Sequence, residues 1–395
     1  MRIQLIALLV FSLASVFAPA AQVGFTLENI KIRNDFGSLL KKGDAGKEIR
    51  VAFLGGSITQ NGKGHSGMVP KLLKERLPKA KIMDLNAGLS STCSTSGAFR
   101  LADHVMSRGP LDLLIVEFAV NDDQDAAHSR RDCIRGMEGI IRHVRTKSPH
   151  TEIVMVHFVN EAIMSSIQNG KTPLTISAHE QVAQHYGITS VNVAREVSLA
   201  IKNGKYTWKD YGGVHPKSFG YSIASEMIVH AIAGGWERSN LPKRTKLPKP
   251  IDEHSYANGQ FISVKQARTT GAWQVGKVSR NLLPNGAIRR QYESYDLLRG
   301  NNAGDEIRLT FEGSSVGAFI LAGPDAGTVE TSVDGGSVTK HDLFHRYSEK
   351  LNYPRSVMFA TGLKPGTHEL VLKISRNPSK KSSGNSASIL FFEVN

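Results

Sequence analysis

Cysteine is nearly missing from this chain: Cys93 and Cys133 are the only two in 395 residues. Two thiols in so long a chain are not a disulfide scaffold, although an oxidising compartment leaves one bridge between them open. Glycine (37) and proline (15) stand at ordinary levels with no three-residue period, which excludes a collagen-like chain. Neither half contains an internal repeat. Acidic residues are the scarcer charge, 35 against 49 Lys and Arg, so the formal net charge is +14. That imbalance points to acidic partners, whether nucleic acid, anionic lipid or anionic polysaccharide, without choosing among them. With 40% hydrophobic and 21% charged residues, the chain is too apolar to stay disordered. Its length suits two or three domains.

Long apolar runs are scarce as well. The one strong run, residues 3–17, follows Met1-Arg2 and precedes Ala18-Pro19-Ala20-Ala21. A short basic start, an apolar stretch and small residues for cleavage have the layout of a secretory signal peptide. The run is shorter than the ~20 residues a bilayer-spanning helix needs, and no cysteine follows it to carry a lipid. Residues 1–21 are therefore expected to be removed, leaving an exported protein, periplasmic or extracellular, without stable membrane insertion. Export in turn argues against nucleic acid as the acidic partner.

After a leader at 22–47, residues 48–236 alternate strand-like and helix-like segments, with strands expected near 50–54, 81–85, 113–116, 152–158 and 189–193. The spacers carry helical periodicity, as in Val69, Leu72, Leu73 and Leu77, or Ile134, Met137, Ile140, Ile141 and Val144. Strands apolar on both faces and separated by helices imply a parallel sheet covered on both sides. Ligands of such sheets bind beyond the carboxyl ends of the strands. A basic, proline-containing stretch at 237–250 reads as a linker. From 251 to 395 the pattern turns to short strands, with a hairpin signal at Asp334-Gly335-Gly336, and suggests an all-β sandwich.

Four segments fall at or near the carboxyl edge of the parallel sheet. Ser57, in Gly55-Gly56-Ser57-Ile58-Thr59, follows a strand and precedes a helix, where exposed amides can stabilise an oxyanion. Alone, a glycine-serine turn is as readily structural. Asn86-Ala87-Gly88, Val120-Asn121-Asp122 and Val214-His215-Pro216 add a backbone amide, a side-chain amide and a general base. Those are the parts that acyl transfer needs. Pro216 biases His215 away from helical geometry, and Gly212 with Gly213 permits the tight turn that aims the ring.

These four blocks, in this order, resemble the SGNH (GDSL-type) hydrolases over about residues 48–235. Ser57 matches the first marker, in Gly-Gly-Ser rather than the usual Gly-Asp-Ser; Gly88, Asn121 and His215 match the other three. The resemblance implies a flavodoxin-like three-layer α/β domain, with Ser57 as nucleophile on an ester carbonyl and His215 as general base. It also implies an oxyanion hole from the amides of Ser57 and Gly88 and the side chain of Asn121, and no metal or organic cofactor. Family members usually carry an aspartate three residues before the histidine; here that position is Gly212. Asp210, five residues before His215, is the carboxylate left to orient the imidazole. The alternative is a Ser–His dyad with a backbone carbonyl fixing the tautomer.

Neighbouring residues have plainer readings. Asp122, Asp123 and Asp125 suit the amino end of the next helix better than a cation site. Glu117 is expected to orient the site loops or to pair with Arg100, which could instead meet an anionic substrate. In the second half, Trp273, Tyr292, Tyr295 and Tyr347 are candidate sugar platforms, with packing the default for each. Lys373, Arg376, Lys380 and Lys381 form a basic run, either solvated or facing an anionic glycan. The chain thus reads as an exported serine esterase that removes O-acyl groups, O-acetyl foremost, from a polysaccharide, acidic ones included. The alternatives are a lipase, lysophospholipase or thioesterase of the same family, or a glycan-binding protein with a degenerate hydrolase domain.

Overall fold

The computed structural model describes residues 24–236 and 247–395. The expected signal peptide at 1–21 and most of the expected linker at 237–250 lie outside the described residues. Strands β1 (Ile30–Lys31), β2 (Glu48–Gly55), β3 (Lys81–Gly88), β4 (Leu113–Val116), β5 (Glu152–Val156) and β6 (Thr189–Val191) form one sheet in the order β1-β6-β5-β4-β2-β3. Only the β1 edge is antiparallel; β2 to β6 run parallel. Alternate residues of the central strands face opposite ways, and both ways are apolar. Val51, Phe53, Leu113, Ile115 and Val154 enter one core, while Ala52, Leu54, Leu114, Val116 and Ile153 enter the other. A strand with two apolar faces must be covered on both.

The helices supply that cover. They are α1 (Gly37–Asp44), α2 (Ser57–Gln60), α3 (His65–Arg76), α4 (Ser94–His104), α5 (Arg130–Lys147), α6 (Glu161–Gln168), α7 (Leu174–Tyr186), α8 (Val193–Lys202), α9 (Trp208–Tyr211) and α10 (Ser218–Trp236). Leu39, Leu73, Val197 and Ile228 bring α1, α3, α8 and α10 to the first core; Phe99, Ile140 and Val182 bring α4, α5 and α7 to the second. Each such side chain, fully buried, contributes roughly 1.5–3 kcal/mol. Local chemistry sets the ends. Ser129 caps α5 through the Asp132 amide, and Gly187, at φ +60°, terminates α7 in the left-handed conformation. The acidic triplet does not cap α5 as the sequence suggested. Asp122 turns to α4 instead, accepting from the Ser94 amide and hydroxyl at 2.8 and 2.7 Å.

The second domain is antiparallel. Its strands are β7 (Gln260–Ser263), β8 (Arg268–Thr270), β9 (Gln274–Lys277), β10 (Asp296–Gly300), β11 (Glu306–Ala322), β12 (Thr328–Val333), β13 (Thr339–Asp342), β14 (Tyr353–Ile374) and β15 (Ala387–Val394). Hydrogen bonds join them into one nine-stranded sheet. The long strand β11 pairs first with β8 and then with β15, and bulges between those segments bend it. The hairpin expected at Asp334-Gly335 is present, with φ +51° and +69°. Period two again separates two apolar faces: Leu298, Ile320 and Ile389 enter the main core, Leu297, Leu321 and Leu390 a smaller cluster. Leu89, from the loop after β3, packs on that smaller cluster and ties the domains together.

Further ties are polar. Ser96 Oγ meets Ser356 Oγ at 2.7 Å, Arg135 pairs with Asp252 at 2.9 Å, and Arg289 donates to Ser90 O and Ser91 Oγ, both at 3.0 Å. Glu393 is fully buried at this junction and accepts from Ser356 Oγ at 2.5 Å. Burial pushes its carboxyl up to about 8, against a smaller opposing effect of the serine. The native fold therefore holds a proton that the unfolded chain gives up near the usual carboxylate value. Stability from this group is complete below the unfolded pKa and is lost as pH rises through about 8. The loss is roughly 1.4 kcal/mol for each pH unit between the unfolded and folded values. Glu393→Gln should match the wild-type Tm at acid pH and exceed it near pH 9 in thermal melts; a lower Tm at both would contradict this account.

Candidate active site

The parallel register builds the site. Gly55 of β2 lies beside Gly88 of β3, and Leu54 beside Val116 of β4, so three strand ends reach the same edge together. The chain leaves β2 through Gly56 and turns at once into α2, whose first residue is Ser57. The Ser57 amide is thus a first-turn donor without an intrahelical acceptor. Side chains are excluded around this turn. A Cβ on Gly56 would lie 2.1 Å from Asn121 Oδ1, and one on Gly88 2.2 Å from the Gln60 nitrogen.

His215 arrives from the loop before α10. Gly212 and Gly213 take φ of +116° and +83°, the reversal expected of the two glycines. Ser57 Oγ and His215 Nε2 are 2.8 Å apart. In that contact the hydroxyl donates when the proton of the neutral ring sits on Nδ1. Asp210 is not brought to the ring. Its Oδ2 accepts from Thr207 N and Thr207 Oγ1 at 2.9 and 2.6 Å, closing a capping box that starts α9. Both bonds to Thr207 hold its carboxyl below the usual range. Among the described residues no carboxylate is hydrogen-bonded to His215, whose ring meets Ser57. Asp210→Asn should accordingly keep kcat within about three-fold of wild type; a loss beyond about a hundred-fold would restore Asp210 to the His215 partnership.

The other two oxyanion candidates are close but engaged. The Gly88 amide donates to Asn86 Oδ1 at 2.9 Å. Asn121 Nδ2 donates to Asp125, while its buried Oδ1 has no partner and faces Gly56. To serve an oxyanion, Asn121 has the second hydrogen of Nδ2 to offer, whereas Gly88 must release or share its acceptor.

Of the scaffold beneath the turn, sequence reasoning reached Glu117 as an orienter of the site loops and missed the parts played by Arg100 and Asn86. Glu117 accepts from the Gly56 amide at 2.9 Å and from Thr59 Oγ1 at 2.6 Å. Burial pushes its carboxyl up to about 7, partly offset by those donors. Arg100 neither pairs with Glu117 nor reaches solvent. It is wholly buried and donates to Ala87 O, Gly55 O and Thr92 Oγ1 at 2.6, 2.9 and 3.3 Å. An anionic-substrate role for Arg100 is thereby excluded, because it has no exposed surface. Asn86 links Thr59 O and Ser66 Oγ, both at 2.9 Å. No local pattern signals the roles of Arg100 and Asn86, since each partner is distant or is a backbone atom.

A cleft of about 750 Å³ opens beside His215, lined by Asp123, Gln124, Asn160, Glu161, Trp208, the glycine loop and Arg346. Arg346 comes from the second domain, donates to Gln124 O and lies over the Tyr347 ring at 4.8 Å. Of the aromatic candidates, only Tyr347 is exposed near the cleft; Tyr292 is buried, and Trp273 packs on Gly300. Cys93 and Cys133 are both buried and unbridged.

The sequence of this domain agrees with the chemistry its strand ends assemble. Residues 53–223, within the α/β domain, match the model of the GDSL-like lipase/acylhydrolase family. Over nearly the whole chain, similar solved structures include a two-domain esterase active on acetylated mannans, at 19% identity and a TM-score of 0.73, covering 94% of this chain and 98% of that one. A two-domain esterase active on acetylated mannans and co-crystallized with mannopentaose gives 18%, 0.73 and the same coverage. An acetylxylan esterase from Geobacillus stearothermophilus covers 48% of this chain with 97% of its own, at 18% identity and a TM-score of 0.38. No curated protein matches the sequence. At these identities, the two-domain likeness shows a shared fold.

Proposed function

We propose that this protein removes O-acetyl groups from a polysaccharide, with Ser57 as nucleophile. The observation that carries the reading is the 2.8 Å contact between Ser57 Oγ and His215 Nε2 at the carboxyl edge of the sheet. His215 takes the hydroxyl proton as Oγ attacks the ester carbonyl, then returns it to the leaving sugar hydroxyl. Water, activated by the same ring, hydrolyses the acyl-enzyme. The Ser57 amide, the Gly88 amide and Asn121 Nδ2 stabilise the oxyanion; each such donor is typically worth ~2.7–4 kcal/mol in the transition state.

The cleft favours a small acyl group on a polar substrate. Its side chains are mostly polar, and Trp208 offers the one large ring among those lining it. The mannan activity of the two-domain esterase with this fold supports a polysaccharide. Asp123 and Glu161 stand beside Arg346 there, so the cleft does not select acidic glycans. Export, as the N-terminal run suggests, would place the enzyme where such polymers occur. Acetate release from acetylated plant, algal and bacterial polysaccharides tests the proposal, together with nitrophenyl esters of increasing chain length. Acetyl should be the preferred acyl group; a rate maximum at eight carbons or more, with no acetate released from any glycan, would sink it.

A further inference from the structure

Away from Ser57, a second reactive group of side chains opens into a cavity of about 340 Å³ between the domains. Cys93 is the N-cap of α4, so it sits at the positive end of an eleven-residue helix. Its Sγ, a ring nitrogen of His128 and a carboxylate oxygen of Asp122 all lie within 4.8 Å of one another. His128 Nδ1 is 3.4 Å from Asp122 Oδ1. Asp122 is itself fixed by Ser94 and by His179 Nε2 at 2.9 Å. A thiol with an imidazole this near is a nucleophile with its base, and the buried carboxylate beside both favours the charged form of the imidazole. The acyl-transfer site uses none of the three.

The electrostatics agree with the geometry. Burial pushes the Cys93 thiol up, but His128 beside it outweighs burial and holds it below the ordinary thiol value. Burial opposes a charge on His128, yet Cys93 and Asp122 hold its pKa well above the usual imidazole value. Asp122 acts against the lowering of the thiol. The other charged or titratable groups around the sulfur are Arg100 on α4, Tyr353 and Arg355 on β14 and Glu393 on β15, with Asp125, Asp132, Arg135 and Tyr256 lining the same cavity. Cys133 is different: burial pushes it up to about 11. Cys93 and His128 line the cavity together with Asp125, Asp132, Arg355 and Arg135, the last of them paired with Asp252. Among the described residues Arg355 makes no ion pair, and its one hydrogen bond is to Phe344 O at 3.4 Å.

We propose that Cys93 is a second nucleophile, a thiolate paired with His128 that takes a small anionic electrophile from the interdomain cavity. In the step, the Sγ lone pair forms a bond to the electrophilic carbon and the leaving group departs with the bonding pair. The proton given up by the thiol stays on His128, and the Arg355 guanidinium faces the negative group.

Iodoacetate and iodoacetamide test this on the full chain, with alkylation located by peptide mass spectrometry. Cys93 should react at least about ten-fold faster than Cys133 at neutral pH. Between about pH 6.5 and 8.5 its rate should rise far less than the roughly fifty-fold rise of an unperturbed thiol. His128→Asn should restore the steep rise, and the iodoacetate-to-iodoacetamide ratio should exceed that of free cysteine and fall in Arg355→Gln. If the His128 variant does not fold, the wild-type pH profile decides alone. Labelling of Cys93 only in denaturant, or with the slope of a free thiol, overturns the proposal. So does a ratio no higher than that of free cysteine. Equimolar zinc that protects Cys93 from both reagents also overturns it, since the cluster would then be a metal site.

Discussion

Ser57→Ala is expected to lower kcat for ester hydrolysis by about four to six orders of magnitude while leaving the Tm unchanged. The two halves of that result have separate causes. The activity loss follows from removing the atom that forms the acyl-enzyme; at about 1.4 kcal/mol per decade it corresponds to roughly 5–8 kcal/mol of transition-state stabilisation. The unchanged Tm follows from what Oγ holds, which is the His215 ring in an exposed contact and no part of either core. His215→Ala should cost a similar factor, and the double variant little more than either, because nucleophile and base act as a unit. Acetate release with equal protein concentrations measures all three. A Ser57→Ala enzyme within ten-fold of wild type would falsify the nucleophile assignment and leave a glycan-binding domain as the better description.

What could be read from the chain in advance was what depends on local pattern. Two-sided apolar strands near Val51, Leu114 and Val154, separated by helical spacers, specify a covered parallel sheet, because no other arrangement buries both faces. The turn at Gly55-Gly56-Ser57 and the loop at Gly212-Gly213 announce themselves through residues that only tight backbone requires. Ser57 and His215 could be paired because four short blocks shared one sheet edge. Asp210 was misplaced for a physical reason: sequence distance says how far a carboxylate is along the chain, not which local donor claims it first. Thr207, three residues before, offers a backbone and a hydroxyl donor at no cost in chain closure, and the capping box wins. The interdomain features were illegible for another reason. Arg346 reaches the cleft, and Glu393 reaches the domain junction, from positions more than 120 residues beyond His215, and no periodicity encodes such a meeting. The nine-stranded path of the second domain was hidden similarly, since strand order depends on which edges stay unpaired after the long β11 and β14 have met.

Arg100→Met is expected to cost about 1–3 kcal/mol of stability and to lower kcat with little change in KM. Methionine fills much of the same volume, so the loss is not mainly one of packing. Arg100 joins Gly55 O and Ala87 O, the carbonyls just before Gly56 and Gly88, and so clamps the ends of β2 and β3 at the spacing the oxyanion amides need. Its removal takes a donor from both oxygens and from Thr92 Oγ1, although Gly55 O keeps the Leu89 amide at 2.9 Å and Thr92 Oγ1 keeps its bond to Leu89 O at 2.7 Å. An opposing effect exists: the guanidinium is wholly buried, and burial lowers its pKa to about 10, so deleting a desolvated cation returns some energy. The loss at Ala87 O, which Arg100 holds at 2.6 Å, should outweigh that return, because a buried acceptor that loses its donor costs about 1–3 kcal/mol. Lysine should not rescue the site, since a single Nζ cannot hold both carbonyls in the fork that guanidinium nitrogens provide. Urea midpoints and nitrophenyl acetate kinetics on Arg100→Met and Arg100→Lys separate the possibilities. Unfolding alone would reduce the active fraction and spare the specific kcat of the folded remainder; a displaced strand pair lowers kcat in protein that circular dichroism shows to be folded. Wild-type midpoint and kcat in Arg100→Met would mean that the strand ends hold their spacing without the clamp.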